Sequence, residues 1–326
     1  MADEKLHFGT CTLCEAMCGI EVKHDGEKVL SIKGDKNDPF SKGYICPKAT
    51  ALQDLYEDPD RLRQPVERTG DGWKEISWTE ALDKVAAGIQ TLQKTHGQNS
   101  LGIYLGNPNV HNMGSMLTTK HLLTSLKSRS RFSATSIDQL PHHVVCMHLF
   151  GHMLRIPVPD VNRTQHMLII GGNPLASNGS IMTAPNMRQK IKDIKARDGK
   201  VVVIDPRRTE TAELSSEHHF IRPATDVLLL LAMLNEIYLQ GFAKTEASNT
   251  SNRAAALAPE IERIATFAQD YSAESVAGIT GISAAEIKRL VKEYCEAESA
   301  VMYGRMGVSV QAFGLLSQYL IMVMNI

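Results

Sequence analysis

The sequence predicts an α/β fold in which a small cysteine-rich domain precedes doubly wound parallel-sheet (Rossmann-like) domains. Short apolar runs alternate with longer stretches of helical periodicity from about residue 100 onward. Several of these runs end in loops rich in Gly, Asp or Thr, as at the carboxyl edge of a parallel sheet. The formal net charge of −1 gives no support to a role in nucleic-acid or membrane-surface binding.

The most specific motif of the chain lies in its first fifty residues. Cys11, Cys14, Cys18 and Cys46 are spaced as C-x2-C-x3-C-x27-C. Three thiolates from one loop and a fourth from a later loop suit a cluster of several irons. A structural zinc site would more often show two C-x2-C knuckles or histidines in its second half, and it stays open as an alternative. The motif therefore favours an iron–sulfur centre that transfers electrons.

The remaining composition predicts a cytoplasmic protein without membrane insertion. Cys146 and Cys295 lie alone in helix-like segments and are most simply reduced core residues. The N-terminus shows neither an apolar signal region nor a twin-arginine stretch. The longest apolar runs, Val227–Leu234 and Leu320–Met324, fall short of the roughly 20 residues of a membrane span. The chain stops at Ile326 inside an apolar run without a helix cap, so we expect a truncated chain.

The first half of the chain contains clear local signals. Residues 19–34 alternate apolar and polar side chains around Asp25-Gly26 and predict a β-hairpin. A capping box at Ser77 and Glu80 predicts the start of a helix. The elements expected next are a helix over 79–95, a strand over 101–105 that ends at Gly106-Asn107, a helix over 114–127, and a strand over 131–136.

The second half follows the pattern of alternating strands and helices. A loop over 137–141 leads into a helical stretch that reaches Phe150. Strands are predicted over 167–170, 200–204, 219–221 and 300–303, and helices over 184–197 with Pro185 in its first turn, over 226–240 and from about 313. Residues 244–298 predict an all-helical region with N-caps at Ser272 and Ser283. No G-x-G-x-x-G motif is present, so an ordinary NAD fingerprint is not supported.

Taken together, the motifs resemble those of a known enzyme family. The segments are CTLCEAMCGI with GYICPKA, then MLIIGGNPLASN, VVVIDPRRTETAE, HHFIRPATD and VMYGRMGVS. They resemble the molybdenum and tungsten bis(pterin guanine dinucleotide) oxidoreductases of the dimethyl sulfoxide reductase superfamily, above all its formate dehydrogenase-like branch. The resemblance implies an iron–sulfur domain over 1–56, a first, incomplete α/β pterin-binding domain over 57–137 plus 299–326, and a second α/β pterin-dinucleotide-binding domain over 138–298. It also implies that the family's C-terminal domain is absent from this chain.

The resemblance implies two cofactors, a 4Fe–4S cluster on the four cysteines and molybdenum (or tungsten) bis(molybdopterin guanine dinucleotide). Lys48 would lie between the cluster and the nearer pterin, as part of the electron path. The residues expected to hold one guanine dinucleotide arm are Gly172, Asn173, Asp205, Arg207, Thr225 and Asp226. Those of the related domain that would grip the other arm are Gly106, Asn107, Gly304 and Gly307. In chemical terms, carboxylates can accept from ribose hydroxyls or guanine N–H groups, and an arginine can meet phosphate.

The resemblance also indicates a candidate metal ligand. In formate dehydrogenases, a selenocysteine or cysteine followed by histidine binds molybdenum at a fixed distance before a Phe-Gly pair. Counting back from Phe150-Gly151 puts Asp138 at that position and Gln139 after it. Some relatives use aspartate as the ligand, and a hard carboxylate suits a high-valent molybdenum centre. The alternative, that Asp138 only caps the following helix, stays open.

Four histidines crowd the same segment. They are His142, His143, His148 and His152. His148 and His152 have the i, i+4 spacing of a zinc pair, but no nearby acid has the metalloprotease placement. We expect one or two of the four, with His142 as the candidate catalytic residue, to line a substrate funnel and relay protons.

The predicted function is an oxidoreductase whose small-molecule substrate reacts at the metal by oxygen-atom or hydride transfer. Electrons would pass through the pterin, Lys48 and the cluster to a redox partner protein or electron carrier. The missing cysteine–histidine pair argues against formate itself as substrate. Two alternatives remain: a non-redox member such as a hydratase, and a non-catalytic fragment that acts at most as an iron–sulfur electron-transfer module.

Overall fold

The computed structural model describes residues 4–243, 259 and 262–326, without the side chains of residues 107 and 108. The chain divides into two compact units, Met1–Ala134 and Thr135–Ile326. Within the described ranges, no helix is both long enough and apolar enough to cross a membrane.

The first unit contains three small sheets and a set of helices. Its strands are β1 (Lys5–Thr10), β2 (Gly19–His24), β3 (Val29–Gly34), β4 (Val66–Thr69), β5 (Gly72–Glu75), β6 (Ile103–Leu105) and β7 (Arg131–Ser133). Its helices are α1 (Pro47–Thr50), α2 (Leu52–Glu57), α3 (Trp78–His96), α4 (Asn107–Val110) and α5 (Met113–Leu126). β1, β2 and β3 form an antiparallel sheet, β4 and β5 form a hairpin, and β6 pairs with β7 in parallel. The hairpin predicted over 19–34 is the β2–β3 pair, and Asp25 Oδ1 accepts the N–H groups of Glu27 and Lys28 at its turn.

Helix α3 begins as predicted but exposes its apolar face. Ser77 Oγ accepts the N–H of Glu80 at 3.1 Å. The other half of the predicted capping box does not form, because the Glu80 carboxylate pairs with Lys84 at 3.0 Å. No residue of α3 is buried, and Leu82 and Val85 are 62% and 58% exposed. The apolar stripe of this helix therefore faces solvent.

The second unit is built on one four-stranded sheet. Its strands are β8 (His166–Ile170), β9 (Lys200–Ile204), β10 (Glu217–His219) and β11 (Ala300–Gly304). Its helices are α6 (Thr135–Asp138), α7 (Leu140–Phe150), α8 (Pro174–Ser177), α9 (Met187–Ala196), α10 (Glu210–Leu214), α11 (Asp226–Leu239), α12 (Ala273–Thr280), α13 (Ala284–Glu296), α14 (Met306–Ser309) and α15 (Gly314–Met324). The strand order is β10-β9-β8-β11, and every pair is parallel. This confirms the predicted parallel α/β sheet.

Helices cover both faces of this sheet. Leu168, Ile170, Val202 and Ile204 belong to one buried cluster, which includes residues of α11 and α13. Met167, Ile169, Val201 and Val203 belong to another, which includes residues of α9 and α10. Because neighbouring strand residues point to opposite faces, each strand contributes to both layers and is apolar throughout.

The segment 299–326 belongs to a different unit from the one predicted. It was assigned with 57–137, but β11 pairs with β8 in the register Ala300↔His166 to Gly304↔Ile170. The segment therefore completes the sheet of the second unit. On the open side of β11, the Asn325 side chain bonds to both the N–H and the C=O of Met302, each at 2.8 Å.

Several predicted boundaries also change. The strand predicted over 131–136 ends at Ser133, and the loop predicted over 137–141 is largely helical, in α6 and α7. β10 ends at His219, earlier than predicted, because its pairing with β9 ends there. Pro185 lies before α9 rather than in its first turn, because Asn186 takes the N-cap position.

The helical region predicted over 244–298 falls partly outside the described residues. The described part contains α12 and α13. Their predicted caps are confirmed: Ser272 accepts the N–H of Ser275, and Ser283 forms a complete capping box with Glu286.

Candidate functional site

Three of the four motif cysteines lie in the loop that joins β1 to β2. The two strands pair up to Thr10↔Gly19, so residues 11–18 form the hairpin loop. The Cys11 N–H donates to the Cys18 carbonyl at 2.8 Å, which closes the loop. Met17 adopts a left-handed conformation with φ 47°. This backbone brings Cys11, Cys14 and Cys18 into one turn.

The fourth cysteine returns on a loop that packs against the same hairpin. Cys46 occupies the N-cap position of α1. The loop before it is fastened by Ser41, whose Oγ accepts the Gly19 N–H at 3.1 Å and donates to Asp38 at 2.6 Å. A Cβ at Gly34 would lie 2.0 Å from the Gly43 carbonyl oxygen, so the close approach of the two backbones requires glycine there.

The four thiols interact electrostatically. Burial raises the pKa of Cys11, and burial together with the thiols of Cys11, Cys14 and Cys46 raises the pKa of Cys18 to about 11. The ammonium of Lys48, an exposed residue of α1, acts in the opposite direction on Cys11. The quartet is therefore a partly buried group of mutually interacting thiols with a cation beside it.

The spacing of these thiols bears on the zinc alternative. In the part of the chain that the structure describes, no three His, Cys, Asp or Glu side chains lie close enough to hold one metal ion. In a 4Fe–4S cluster the four thiolates bind four separate irons, so they need not converge on one ion.

In the second unit, two glycines bring neighbouring loops into backbone contact at the carboxyl edge of the sheet. The Gly307 N–H donates to Gly171 O at 2.9 Å, and a Cβ at Gly171 (φ 56°) would lie 2.7 Å from Val308 N. At Gly172 a Cβ would press on Tyr303 and Arg305. At Gly304 a Cβ would lie 2.3 Å from Ile321 Cδ1. The predicted residues Gly172, Gly304 and Gly307 thus lie at one edge of one sheet.

Two carboxylates lie close together at this edge. Asp205 follows β9 and Asp226 begins α11, and Asp226 is only 4% exposed. Burial raises the pKa of both, and the charge of Asp205 adds to the shift of Asp226. Asp226 Oδ2 accepts a hydrogen bond from Gln311 Nε2 at 2.8 Å. Asp205 Oδ1 accepts the N–H of Arg207 at 2.8 Å.

The remaining residues predicted at this edge differ in their side-chain hydrogen bonds and in their exposure. Asn173 donates to Glu210 at 2.8 Å and accepts from Thr211 at 2.7 Å, so its amide connects two loops. Thr225 Oγ1 donates to the Arg222 carbonyl at 2.7 Å. Arg207 is exposed. Its guanidinium therefore lies at the surface of the edge.

The predicted metal ligand lies where α6 meets α7. Asp138 ends α6, and Gln139 takes the N-cap position of α7 without a side-chain capping bond. Asp138 Oδ1 is buried and has no hydrogen-bond partner. His142 Nε2 bonds to the Gly304 carbonyl at 3.1 Å. Burial, with a smaller contribution from Arg305, lowers the pKa of His142 to about 4.

The other histidines of this segment divide into one buried and two exposed residues. His143 is 7% exposed, and its Nε2 has no partner. His148 and His152 are exposed, and α7 ends at Phe150 because Gly151 adopts φ 73°. His148 and His152 therefore do not lie on one helix, so the i, i+4 geometry that a zinc pair would need does not arise.

Three predicted residues lie in the first unit. Lys48 belongs to α1 beside the cysteine loop. Gly106 takes the N-cap position of α4, the short helix that follows β6, and Asn107 begins that helix. The side chain of Asn107 lies outside the described residues. Gly106 and Asn107 do not share a unit with Gly304 and Gly307.

Two candidate functional residues, Arg305 and Gln311, were not predicted from the sequence. Arg305 follows β11 and donates to Ser180 Oγ at 2.7 Å, and Gln311 holds Asp226. Both lie in or just after the segment VMYGRMGVS, so their position at the end of a predicted strand was the available signal. Their partners are 125 and 85 residues away in sequence, which no local pattern reveals.

The fold and the cysteine loop define an α/β protein with an iron–sulfur domain at its N-terminus. The family model for the molybdopterin oxidoreductase Fe4S4 domain matches residues 4–57, and that for molybdopterin oxidoreductase matches residues 61–308. The chain belongs to the molybdopterin oxidoreductase family.

Individual relatives are distant and much longer. The chain is 27% identical over 293 residues to the nitrate reductase of Symbiobacterium thermophilum, covering 87% of this chain and 37% of that protein. It is 25% identical over 300 residues to the F420-dependent formate dehydrogenase subunit alpha of Methanocaldococcus jannaschii, covering 92% and 42%. Acetylene hydratase from Pelobacter acetylenicus shares the fold, with a TM-score of 0.80 at 22% identity over 98% of this chain and 42% of that one. The chain thus spans about two fifths of the length of these relatives.

Proposed function

We propose that this chain functions in a molybdenum- or tungsten-dependent bis(molybdopterin guanine dinucleotide) oxidoreductase that passes electrons through a 4Fe–4S cluster. The observation that carries the proposal is the group of four mutually interacting thiols in and beside one hairpin loop. Buried thiols with raised pKa values are poor ligands until a metal displaces their protons, and an iron–sulfur cluster does so.

In this proposal the cluster is held by Cys11, Cys14, Cys18 and Cys46. Lys48 lies on the electron path, and its charge favours the thiolate form of Cys11. A cation beside an anionic cluster favours the reduced, more negative state and so raises the reduction potential.

The carboxyl edge of the sheet in the second unit is proposed to bind one guanine dinucleotide arm. Gly172 lets the loop after β8 pack closely against Tyr303 and Arg305. Phosphates meet backbone N–H groups at edges of this kind. Asp205 and Asp226 accept hydrogen bonds from ribose hydroxyls or guanine N–H groups, and Arg207 meets phosphate. Thr225 and Asn173 hold the loops that carry these groups. Gly106 and Asn107 are proposed for the other arm.

Asp138 is proposed as the protein ligand of the metal, with Gln139 beside it. The buried Oδ1 without a partner supports this role, because a carboxylate oxygen is costly to bury unless it is paired or bound to a metal. When bound, the metal–pterin group supplies two-electron chemistry on a small substrate. His142, buried and held on the Gly304 carbonyl, stays neutral at pH 7 and can exchange a proton through its free Nδ1.

The test is cofactor analysis of the purified full chain. We expect iron, pterin, guanine nucleotide, and molybdenum or tungsten, and a paramagnetic cluster signal after dithionite reduction. Turnover linked to a redox dye separates an oxidoreductase from the alternative of a hydratase, which needs no electron acceptor. Iron without pterin would instead support the alternative of an iron–sulfur electron-transfer module. A chain with neither iron nor pterin would refute the proposal.

A further inference from the structure

A single charged side chain lies within the cysteine loop between β1 and β2. The loop runs from Cys11 to Cys18 with the sequence CTLCEAMC, and Glu15 is its only acidic or basic residue apart from the cysteines. The Glu15 side chain is 31% exposed, and the neighbouring Ala16 is buried. The loop therefore places a carboxylate between two cysteines that are proposed to bind the cluster.

A histidine from a distant segment of the same unit lies against this carboxylate. His111 follows α4, and its Nε2 is 3.8 Å from Glu15 Oε2. The His111 side chain is only 14% exposed, and its Nε2 is buried and forms no hydrogen bond with any residue that the structure describes. An imidazole at this distance acts on a carboxylate through its N–H dipole when neutral and through its full charge when protonated.

His111 is held in place where two helices meet. It takes the C-cap position of α4, and the next residue, Asn112, takes the N-cap position of α5. The Asn112 side chain accepts the N–H of Ser115 at 2.9 Å, and its carbonyl accepts the N–H of Met116 at 2.9 Å. Helix ends that do not belong to the cysteine loop therefore fix the histidine, so it can support Glu15 from outside that loop.

Lys48 and Glu15 contribute charges of opposite sign beside the cysteines. The ammonium of Lys48 acts to lower the pKa of Cys11, against the effect of burial. An iron–sulfur cluster gains one negative charge on reduction, so a nearby cation raises its reduction potential and a nearby carboxylate lowers it. The contact with His111 offsets part of the Glu15 charge and so weakens the field of this carboxylate at the cysteines.

We propose that His111 is a positioning residue that holds the Glu15 carboxylate beside the cysteine loop and thereby raises the reduction potential of the iron–sulfur cluster. The inference rests on the proposed function for the presence of the cluster, and it deepens that function by naming a control on the electron path. His111 acts through Glu15, so its effect on the potential depends on the carboxylate. The same contact also restrains the loop before any iron is bound.

The experiment measures the midpoint potential of the cluster by redox titration with electron paramagnetic resonance, on the purified full chain at one pH and ionic strength. The variants are Glu15→Gln, His111→Leu, the double variant and His111→Lys, with His121→Leu at an exposed histidine of α5 as the control. Iron content is measured on the same samples. Hydrogen–deuterium exchange of residues 11–18 is measured on the iron-free chain, as a readout that needs no cluster.

We expect Glu15→Gln to raise the potential, because it removes a negative charge, and His111→Leu to lower it, because it removes the group that offsets that charge. At a fixed applied potential, the ratio of reduced to oxidised cluster should change by about threefold or more in each. In the Glu15→Gln background, His111→Leu should have no further effect. His111→Lys should keep or exceed the wild-type potential, and His121→Leu should match the wild type. Exchange of residues 11–18 should be faster in His111→Leu.

Two results would overturn the inference: an unchanged potential in His111→Leu, or the same shift from His111→Leu with and without Glu15. Lower iron content in His111→Leu with an unchanged potential in the loaded molecules would also count against it, since that is the effect of a merely structural residue. If His111→Leu retains no iron, the comparison of Glu15→Gln and His111→Lys with the wild type decides. Failure of the proposed function looks different: the wild type would show no cluster signal, and equal exchange in the iron-free wild type and His111→Leu would then refute the contact itself.

Discussion

The amide of Gln311 donates to Asp226 Oδ2 at 2.8 Å and, from the same nitrogen, to the Gly307 carbonyl at 2.6 Å. Asp226 is 4% exposed and lies near the charge of Asp205. Burial raises the pKa of Asp226, and the hydrogen bond from Gln311 counteracts this shift. Gln311 therefore stabilises the charged form of Asp226, a carboxylate that is buried near the like charge of Asp205.

Replacing Gln311 with Glu should weaken binding of the guanine dinucleotide. The change removes the donor and adds a carboxylate next to Asp226, at a cost of about 1.5–3 kcal/mol for a hydrogen bond to a charged group. We expect the affinity for guanine nucleotide to fall by about tenfold or more, measured as guanine nucleotide content of the purified protein and by titration with GMP. Gln269→Glu, at an exposed position, is the charge-matched control. Equal nucleotide affinity in both variants would contradict the role given to Gln311.

Replacing Cys14 with Ser should remove the iron–sulfur cluster. A hydroxyl is a much poorer iron ligand than a thiolate, and the three remaining thiols share one small loop and its neighbour. Iron content and the visible absorbance of the protein should both fall to near background, and dye-linked turnover should fall with them. Cys295→Ser, at another half-buried cysteine, should leave the iron content unchanged. Full iron loading and turnover in Cys14→Ser would remove the basis of the proposed electron path.

The buried histidine of β8 should make the second unit sensitive to acid. His166 is 3% exposed, and burial followed by the charge of Lys200 lowers its pKa to about 4. Above about pH 6.5 it is neutral in both the folded and the unfolded chain. Between about pH 6.5 and 4 the unfolded chain binds a proton that the folded chain does not, so the free energy of unfolding decreases as pH falls.

The loss from His166 alone approaches about 3 kcal/mol at pH 4, at 1.36 kcal/mol per unit of pKa. Urea unfolding of the wild type and of His166→Phe at pH 7.5 and 5 measures it. Phe keeps the edge-on contact that His166 makes with Tyr294, whose ring centroid lies 5.9 Å away. We expect a smaller decrease between the two pH values in the variant. The decrease that remains contains the contribution of His142, whose pKa is also lowered to about 4. An identical decrease in both proteins would show that His166 is not the source.

The exposed apolar face of α3 should bind hydrophobic probes. Leu82 and Val85 lie three residues apart on this face and are both more than half exposed. Contiguous apolar patches of this kind bind dyes and promote association. We expect Leu82→Glu to reduce the fluorescence of 8-anilinonaphthalene-1-sulfonate and self-association in ultracentrifugation, with stability changed by about 0.5 kcal/mol or less. Gln90→Glu, at an exposed position on the same helix, should change neither measurement.

The parts of the molecule that could be predicted from sequence are those encoded by neighbouring residues. The spacing of Cys11, Cys14 and Cys18 is a property of one loop, and the capping box at Ser283 is a property of one turn. The apolar strands of the parallel sheet are equally local, because strands buried on both faces are apolar throughout.

The parts that could not be predicted depend on contacts between distant segments. The grouping of 299–326 was wrong because only the pairing of β11 with β8 reveals which sheet that strand joins. Arg305 and Gln311 have their partners on other loops. The separation of His148 from His152 has a local cause, since Gly151 between them is a residue that commonly ends a helix.

At the edge of the parallel sheet, the carboxamide of Asn325 forms the two main-chain hydrogen bonds with Met302 that a neighbouring strand would form. By engaging both main-chain groups of Met302, it occupies the bonding positions that an added strand would need. Another polypeptide that tried to extend the sheet there would first have to displace this side chain. The asparagine therefore blocks backbone pairing at Met302, where sheet edges more often rely on charged residues, a bulge or a covering helix.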